Sequence, residues 1–232
     1  MVENHLNSAG RQYFTGGICL LCSLLSICYV FSSAFAGQKN TPISRFSEKS
    51  LSEWKERPFE GKTHYSFVKD NEKGWVIKAE STDSASGLLR QLEVDLNETP
   101  YLNWSWKVER LPDVRDEKTR EGDDYPVRLY VIFKIGYWFW DTMALNYVWN
   151  SNYPVGASWP NAFTENSRVL VLQSGRACVG EWVTEKRNVP KDIMSYFGIQ
   201  VDSIEGIAIM TDTDNSGDRA IAYYGDIFFT SQ

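Results

Sequence analysis

The chain is expected to be an all-β protein: a single two-sheet antiparallel sandwich of jelly-roll type with one short helix. Three observations lead there. From Thr63 onward, short runs of alternating polarity recur at intervals of roughly ten residues, separated by polar turns. Only one segment, beginning at Pro190, reads as helical, and the chain has no internal repeat or low-complexity tract. It closes on two apolar strands, rich in Ile, Phe and Tyr, joined by an acidic, glycine-containing turn between Gly206 and Phe229.

The first 36 residues differ from the rest. Gln12 to Ala36 carries no charged side chain, Ile18 to Phe31 is mostly Ile, Leu, Cys, Val and Phe, and Ala34-Phe-Ala36 offers a small-x-small cleavage pattern. The expectation is an export signal cut after Ala36, placing the protein in the periplasm or outside the cell. The alternative is an uncleaved anchor, because about 18 apolar residues can just span a bilayer. Cys19, Cys22 and Cys28 would leave with a cleaved signal, so Cys178 alone remains and no internal disulfide can form. Residues 37–50 are polar and read as a linker; 51–232 read as one sandwich domain.

Within that domain, Trp75-Val-Ile-Lys-Ala-Glu80 places Trp75, Ile77 and Ala79 on one face, and Leu88 to Leu96 is a further strand that Arg90 interrupts. The clearest alternation is Leu102-Asn-Trp104-Ser-Trp106-Lys-Val108, a half-buried strand with its tryptophans in the core. Asp113 to Asp124 mixes both charge signs and reads as a solvated loop. Val127 to Ile135 and Ala144 to Asn150 follow as paired strands, flanking the aromatic run Tyr137-Trp138-Phe139-Trp140. Strands are also expected at Arg168–Gln173 and Trp182–Val189. Pro190 suits a first helical turn, Ile193 and Phe197 share a face, and Gly198 ends the helix.

The motifs Gly122-Asp-Asp-Tyr-Pro-Val-Arg128-Leu-Tyr-Val, Leu145-Asn-Tyr-Val-Trp149, Glu185-Lys-Arg187-Asn-Val, Tyr196-Phe-Gly198 and Ile207-Ala-Ile-Met-Thr-Asp-Thr-Asp-Asn215 together resemble an exported bacterial family catalogued as domain of unknown function three-zero-four-seven. The resemblance runs from about Phe46 to Phe229 and implies an envelope or secreted location; it brings no catalytic residues with it. More distantly, Leu-Glu-Val-Asp-Leu…Pro…Leu-x-Trp-x-Trp-Lys-Val and the closing Tyr-Tyr-Gly-Asp-Ile-Phe-Phe are similar in layout to jelly-roll carbohydrate-binding modules of the galactose-binding type.

Composition narrows the chemistry. The net charge is −6 with no basic cluster, which disfavours nucleic acid as a partner. His64, the only histidine after residue 36, lies in a strand-like Thr-His-Tyr-Ser context with no nucleophile elbow nearby, which disfavours a Ser-His-Asp triad; one histidine and one cysteine far apart do not make a zinc site, and no phosphate loop is present. Carboxylate pairs remain, as a glycoside hydrolase or lyase would use, drawn from Asp123, Asp124, Asp141, Glu165, Glu181 and Asp226. No catalytic residue is assigned.

Two constellations are candidate sites. In Asp212-x-Asp214-Asn215-x-Gly217-Asp218, oxygen ligands at short spacing suit a structural Ca²⁺, although the same residues build plain hairpin turns. For a ligand, Trp138, Trp140 and Trp159 in expected loops can stack on a sugar face. Arg128, Asn146 and Asn150 on the non-core faces of two paired strands, and Arg187, supply polar contacts; Arg187 equally suits a structural pair with Asp212. The leading expectation is a noncatalytic protein that binds a glycan or an envelope component. The alternatives are an assembly partner docking another envelope protein, and the carboxylate enzyme. A membrane partner is expected only if the amino-terminal segment stays uncleaved.

Overall fold

The computed structural model describes residues 38–136 and 141–232. The expected export signal and the rings of Trp138 and Trp140 lie outside the described residues. Among the described residues no helix is long and apolar enough to cross a membrane.

Fourteen strands form in chain order: β1 (Asn40–Pro42), β2 (Lys55–Glu60), β3 (His64–Asp70), β4 (Gly74–Thr82), β5 (Ala85–Asp95), β6 (Tyr101–Arg110), β7 (Val127–Lys134), β8 (Thr142–Asn150), β9 (Ser158–Pro160), β10 (Ser167–Ser174), β11 (Val183–Asn188), β12 (Ser203–Asp212), β13 (Arg219–Tyr224) and β14 (Phe228–Thr230). They build two seven-stranded sheets. The first runs β1-β14-β6-β13-β4-β3, with β11 along the other edge of β6; the second runs β2-β5-β12-β7-β8-β10-β9. The expected β-sandwich is therefore the fold. One pair departs from antiparallel order: β8 and β10 are parallel, because the chain crosses over through β9 before returning.

Period-two alternation sets the core. In β6, Leu102, Trp104, Trp106 and Val108 point inward and are buried, while Asn103 and Lys107 point out. In β7 the inward set is Val127, Leu129, Val131 and Phe133. Trp104 sits edge-on to Trp106 and stacks on Tyr147 of β8, with 5.3 Å between centroids in each pair, which joins the two sheets. Trp75 departs from expectation: it stands at the start of β4 and is 36% exposed beneath the Lys49 ammonium.

The helix α1 (Val189–Phe197) carries the expected Pro190 and Gly198 at its ends, and Asn188 adds a cap. Asn188 accepts from the Lys191 N–H at 3.0 Å, Pro190 lies in the first turn, and Gly198 closes the helix at φ 72. Two expectations are corrected. The segment expected to be a linker is partly strand and core: β1 pairs with β14, and Ile43 and Phe46 are completely buried, so its apolar residues outweigh its polar composition. The charged loop before β7 is not simply solvated. Glu117 is buried because it accepts from the Ser151 N–H (2.7 Å), the Asn152 N–H (3.2 Å) and the Asn152 side chain (2.9 Å). Those bonds draw the loop against a second apolar cluster of Tyr125, Val148, Trp159, Val169 and Val171.

Candidate functional site

The second sheet has a core face and an outer face. Leu88, Leu129, Leu145, Ile207 and Ile209 fill the core. The alternate positions face outward, and several are small: Ala85 and Gly87 of β5, Ala208 of β12 and Ala144 of β8. Small side chains on adjacent strands leave a hollow, with a volume of about 410 Å³. That lies within the range of about 300–1,000 Å³ usual for small-molecule sites. Registry orders the floor into rows. Gly87, Met210 and Arg128 are in line, then Leu89, Ala208 and Tyr130, and Ile132 is paired with Ala144 beyond them. Phe59 on β2 and Phe163 after β9 stand at the walls, 70% and 53% exposed.

Arg128 anchors one end and is 2% exposed. Its Nε donates to Asp212 Oδ1 at 2.8 Å, and Nη1 donates to Asp123 Oδ2 at 3.2 Å and to the Tyr130 hydroxyl at 3.3 Å. Nη2 donates to Asp212 Oδ2 and to the Asp123 carbonyl. Every N–H of the guanidinium is thus used, and its plane lies 4.2 Å from the Tyr125 ring centroid. Burial pushes the Asp212 carboxyl up, and Arg128 pulls it back; the charges of Asp123 and Asp212 in turn hold the Arg128 guanidinium protonated against burial.

The neighbouring acids divide by occupation. Asp124 accepts from the backbone N–H groups of Asn215 (3.2 Å) and Ser216 (2.6 Å) and from the Asn215 side chain (3.1 Å), which fixes the β12–β13 turn. Asp218 takes Arg110 at 3.0 Å and the Asp113 N–H at 2.8 Å. Asp123 Oδ1 is buried with no partner among the described residues. Asp214 lines the hollow half-buried; burial pushes its carboxyl above the usual range, with Asp124 and Asp123 adding to the effect. Oxygens of Asp124, Asp212 and Asp214 lie within 4.8 Å of one another, so these three are the described acids that can share a cation.

The structure brings Arg128, Asp212, Asp214 and Asn215 to the hollow and disperses the other expected residues that it describes. Arg187 pairs with Asp192 (2.6 and 2.8 Å), not with Asp212, because β11 lies in the first sheet; Asp192 also accepts from the Tyr147 hydroxyl at 2.8 Å. Trp159 is buried against Tyr153 with centroids 5.0 Å apart, so its ring has no free face to offer a ligand. Asn150 is buried and holds the next loop: with its amide oriented for the network, it accepts from the Tyr153 N–H and donates to the Tyr153 carbonyl and the Ser174 hydroxyl. Asn146 lies on the outer face between Tyr130 and Val169, fully buried, with neither end of its amide bonded among the described residues. Phe59, Phe163 and Asn161 escape the sequence reading. Phe59 alone left a signal, as the one large apolar side chain in the charged strand Lys55–Glu60.

The family model described as protein of unknown function (DUF3047) matches residues 52–228. The chain belongs to that family. No curated protein matches it. Among solved structures, this DUF3047 protein is similar to the family 30 carbohydrate-binding module of the cellulosomal cellulase Cel9D-Cel44B of Clostridium thermocellum. The TM-score is 0.50 and the identity 13%, over 84% of this chain and 98% of that one. The family 11 module of Lic26A-Cel5E from the same organism gives 0.44 at 13% identity, covering 83% and 94%. A cellulase derived from Cel12A of Rhodothermus marinus gives 0.45 at 9% identity, covering 83% and 99%. At these identities the likeness is one of fold.

Proposed function

We propose that this DUF3047 protein is an exported, noncatalytic glycan-binding β-sandwich whose site is the hollow on the outer face of the second sheet. The observation that carries the reading is a hollow walled by two exposed rings, Phe59 and Phe163, and edged by polar groups. A pyranose presents apolar C–H faces and a hydroxyl rim, so flat rings beside Asp214, Asn161 and Asn215 suit it on both counts. The fold shared with the family 30 module supports the same reading. Arg128 has its donors spent within the protein, so its role is to position Asp123 and Asp212, and ligand contact falls to the groups at the rim.

Hydrolysis by paired carboxylates fits less well. Both Asp212 oxygens are tied to Arg128, both Asp124 oxygens to the turn, and Asp123 accepts from Arg128 and Asn161 through one oxygen while its other is buried, so none of the three is as open to a ligand as Asp214. The test is calorimetric titration of the protein with plant, algal and bacterial glycans, alongside an assay for released sugar. The expected result is saturable one-site binding without product, weakened about fivefold by Phe59→Ala or Phe163→Ala on the scale of an aromatic contact. Product formation would move the protein to the enzymes, and binding indifferent to both rings would move the site elsewhere.

A further inference from the structure

The two ends of the hollow differ in chemistry, and the difference bears on which glycan it takes. One end has Arg128, Asp212 and Asp214. The other has Leu89, Ala208, Ile132 and Ala144 on its floor and Phe163 on its wall. Successive rows on a strand face are about 7 Å apart, so the change from charged to apolar happens within the span of one ligand. A sugar hydroxyl held over Leu89 and Ile132 would lose its water and gain no bond. An apolar substituent would lose nothing there.

The apolar end also has an unmet polar demand. Ser167 lines it, paired across the strands with Ala144, and its hydroxyl is buried with no partner among the described residues. One row along, the amide of Asn146 is buried and unbonded at both ends. Buried donors without partners are rare in folded proteins. A group that combines a methyl with a single carbonyl acceptor fits this surface: the methyl lies on Leu89, Ile132 and Ala144, and the carbonyl accepts from the Ser167 hydroxyl once that side chain rotates toward the hollow.

Resting on the glycan reading above, we infer that the hollow selects an acetylated sugar, with the acetyl group over the Leu89–Ile132–Ala144 floor and the ring's hydroxyls toward Asp214, Asn161 and Asn215. The experiment uses probes that share a backbone and a charge: chitotetraose against cellotetraose, and acetylated xylo-oligosaccharides against the same material after mild de-esterification, each titrated into the protein. Burying one methyl beside a satisfied carbonyl gives about a tenfold or larger preference for the acetylated member. Ser167→Ala, which removes the hydroxyl and little volume, is expected to narrow that ratio to about threefold. Ala144→Leu, checked for folding by its melting curve, fills the apolar end and should narrow it too.

Equal affinity for both members of each pair would overturn the acetyl assignment and leave the glycan reading standing. Binding of neither pair, in a protein that binds other glycans, would overturn only this inference; binding of no glycan at all would remove both. Tighter binding of octanoate than of any sugar would overturn it in favour of a lipid ligand.

Discussion

On the outer face of the second sheet, one guanidinium and three aspartates share the end of a hollow; on the outer face of the first, Lys107 lies among Asp70, Trp182 and Tyr223. Both clusters combine charge with aromatic rings, and each centres on a strand residue, Arg128 or Lys107, that alternates with core residues. They differ in water. Arg128 and Asp212 side chains are 3% and 1% exposed, against 17% and 12% for Lys107 and Asp70. Small residues on β5, β8 and β12 leave the hollow at whose end the first cluster lies. A charged cluster becomes a candidate site when its surroundings exclude water without satisfying every atom. Asp123 Oδ1 meets that condition, beside a half-buried Asp214; Asp70, bonded to Lys107 and to the Trp182 indole, does not.

The largest effect should come from removing each cation. Arg128→Met leaves Asp212 and Asp123 buried without their partner and is expected to cost about 3–5 kcal/mol in urea denaturation. Lys107→Met removes a pair that water still reaches, and about 1 kcal/mol or less is expected. Equal losses would erase the distinction drawn between the two faces.

Acidity should separate the faces with opposite sign. The folded-state pKa of Asp214 is raised by burial, so its contribution to stability is fully present below the unfolded pKa of about 3.9 and is lost as pH rises through the folded value. At Asp70, burial pushes up but is outweighed by bonds from Lys107, two backbone N–H groups and Trp182. Its lowered pKa gives stability above about pH 3.9 that is lost as pH falls toward the folded value. Melting curves across pH should show Asp214→Asn above wild type at neutral pH, with the gain vanishing on acidification. Asp70→Asn should lie below wild type at neutral pH and converge with it in acid. A shared sign would contradict the assignment.

Calcium is expected to have the smallest effect. Arg128 already supplies the positive charge beside Asp212, and the Asp124 oxygens are held by the turn. Melting with Ca²⁺ and with chelator should therefore coincide. A stabilisation by Ca²⁺ that Asp214→Ala abolishes would make the Asp124–Asp212–Asp214 group a cation site.

Much of this was legible in the sequence, though unevenly. Alternation in β6 and β7 announces which residues turn inward, and Pro190 and Gly198 punctuate the helix, because those signals are local. The Arg128–Asp212 pair spans 84 residues and depends on registry between β7 and β12. No local pattern encodes registry, which is why Arg187 was as reasonable a partner for Asp212. The floor of the hollow was hidden for the same reason: Gly87, Ala144 and Ala208 are unremarked singly and form a depression only when β5, β12, β7 and β8 align. Burial of Trp159 and Glu117 was invisible because loops, not strands, cover them.

The most direct test of the account is calorimetric titration of a bound glycan into wild type, Ala208→Leu and Trp182→Ala, each confirmed folded by its melting curve. Ala208→Leu fills the floor of the hollow and should lose binding by about thirtyfold or more on the scale of a blocked apolar pocket. Trp182→Ala, on the opposite outer face, should bind as wild type does. Undiminished binding by Ala208→Leu, or its loss in Trp182→Ala, would contradict the placement of the site on the second sheet.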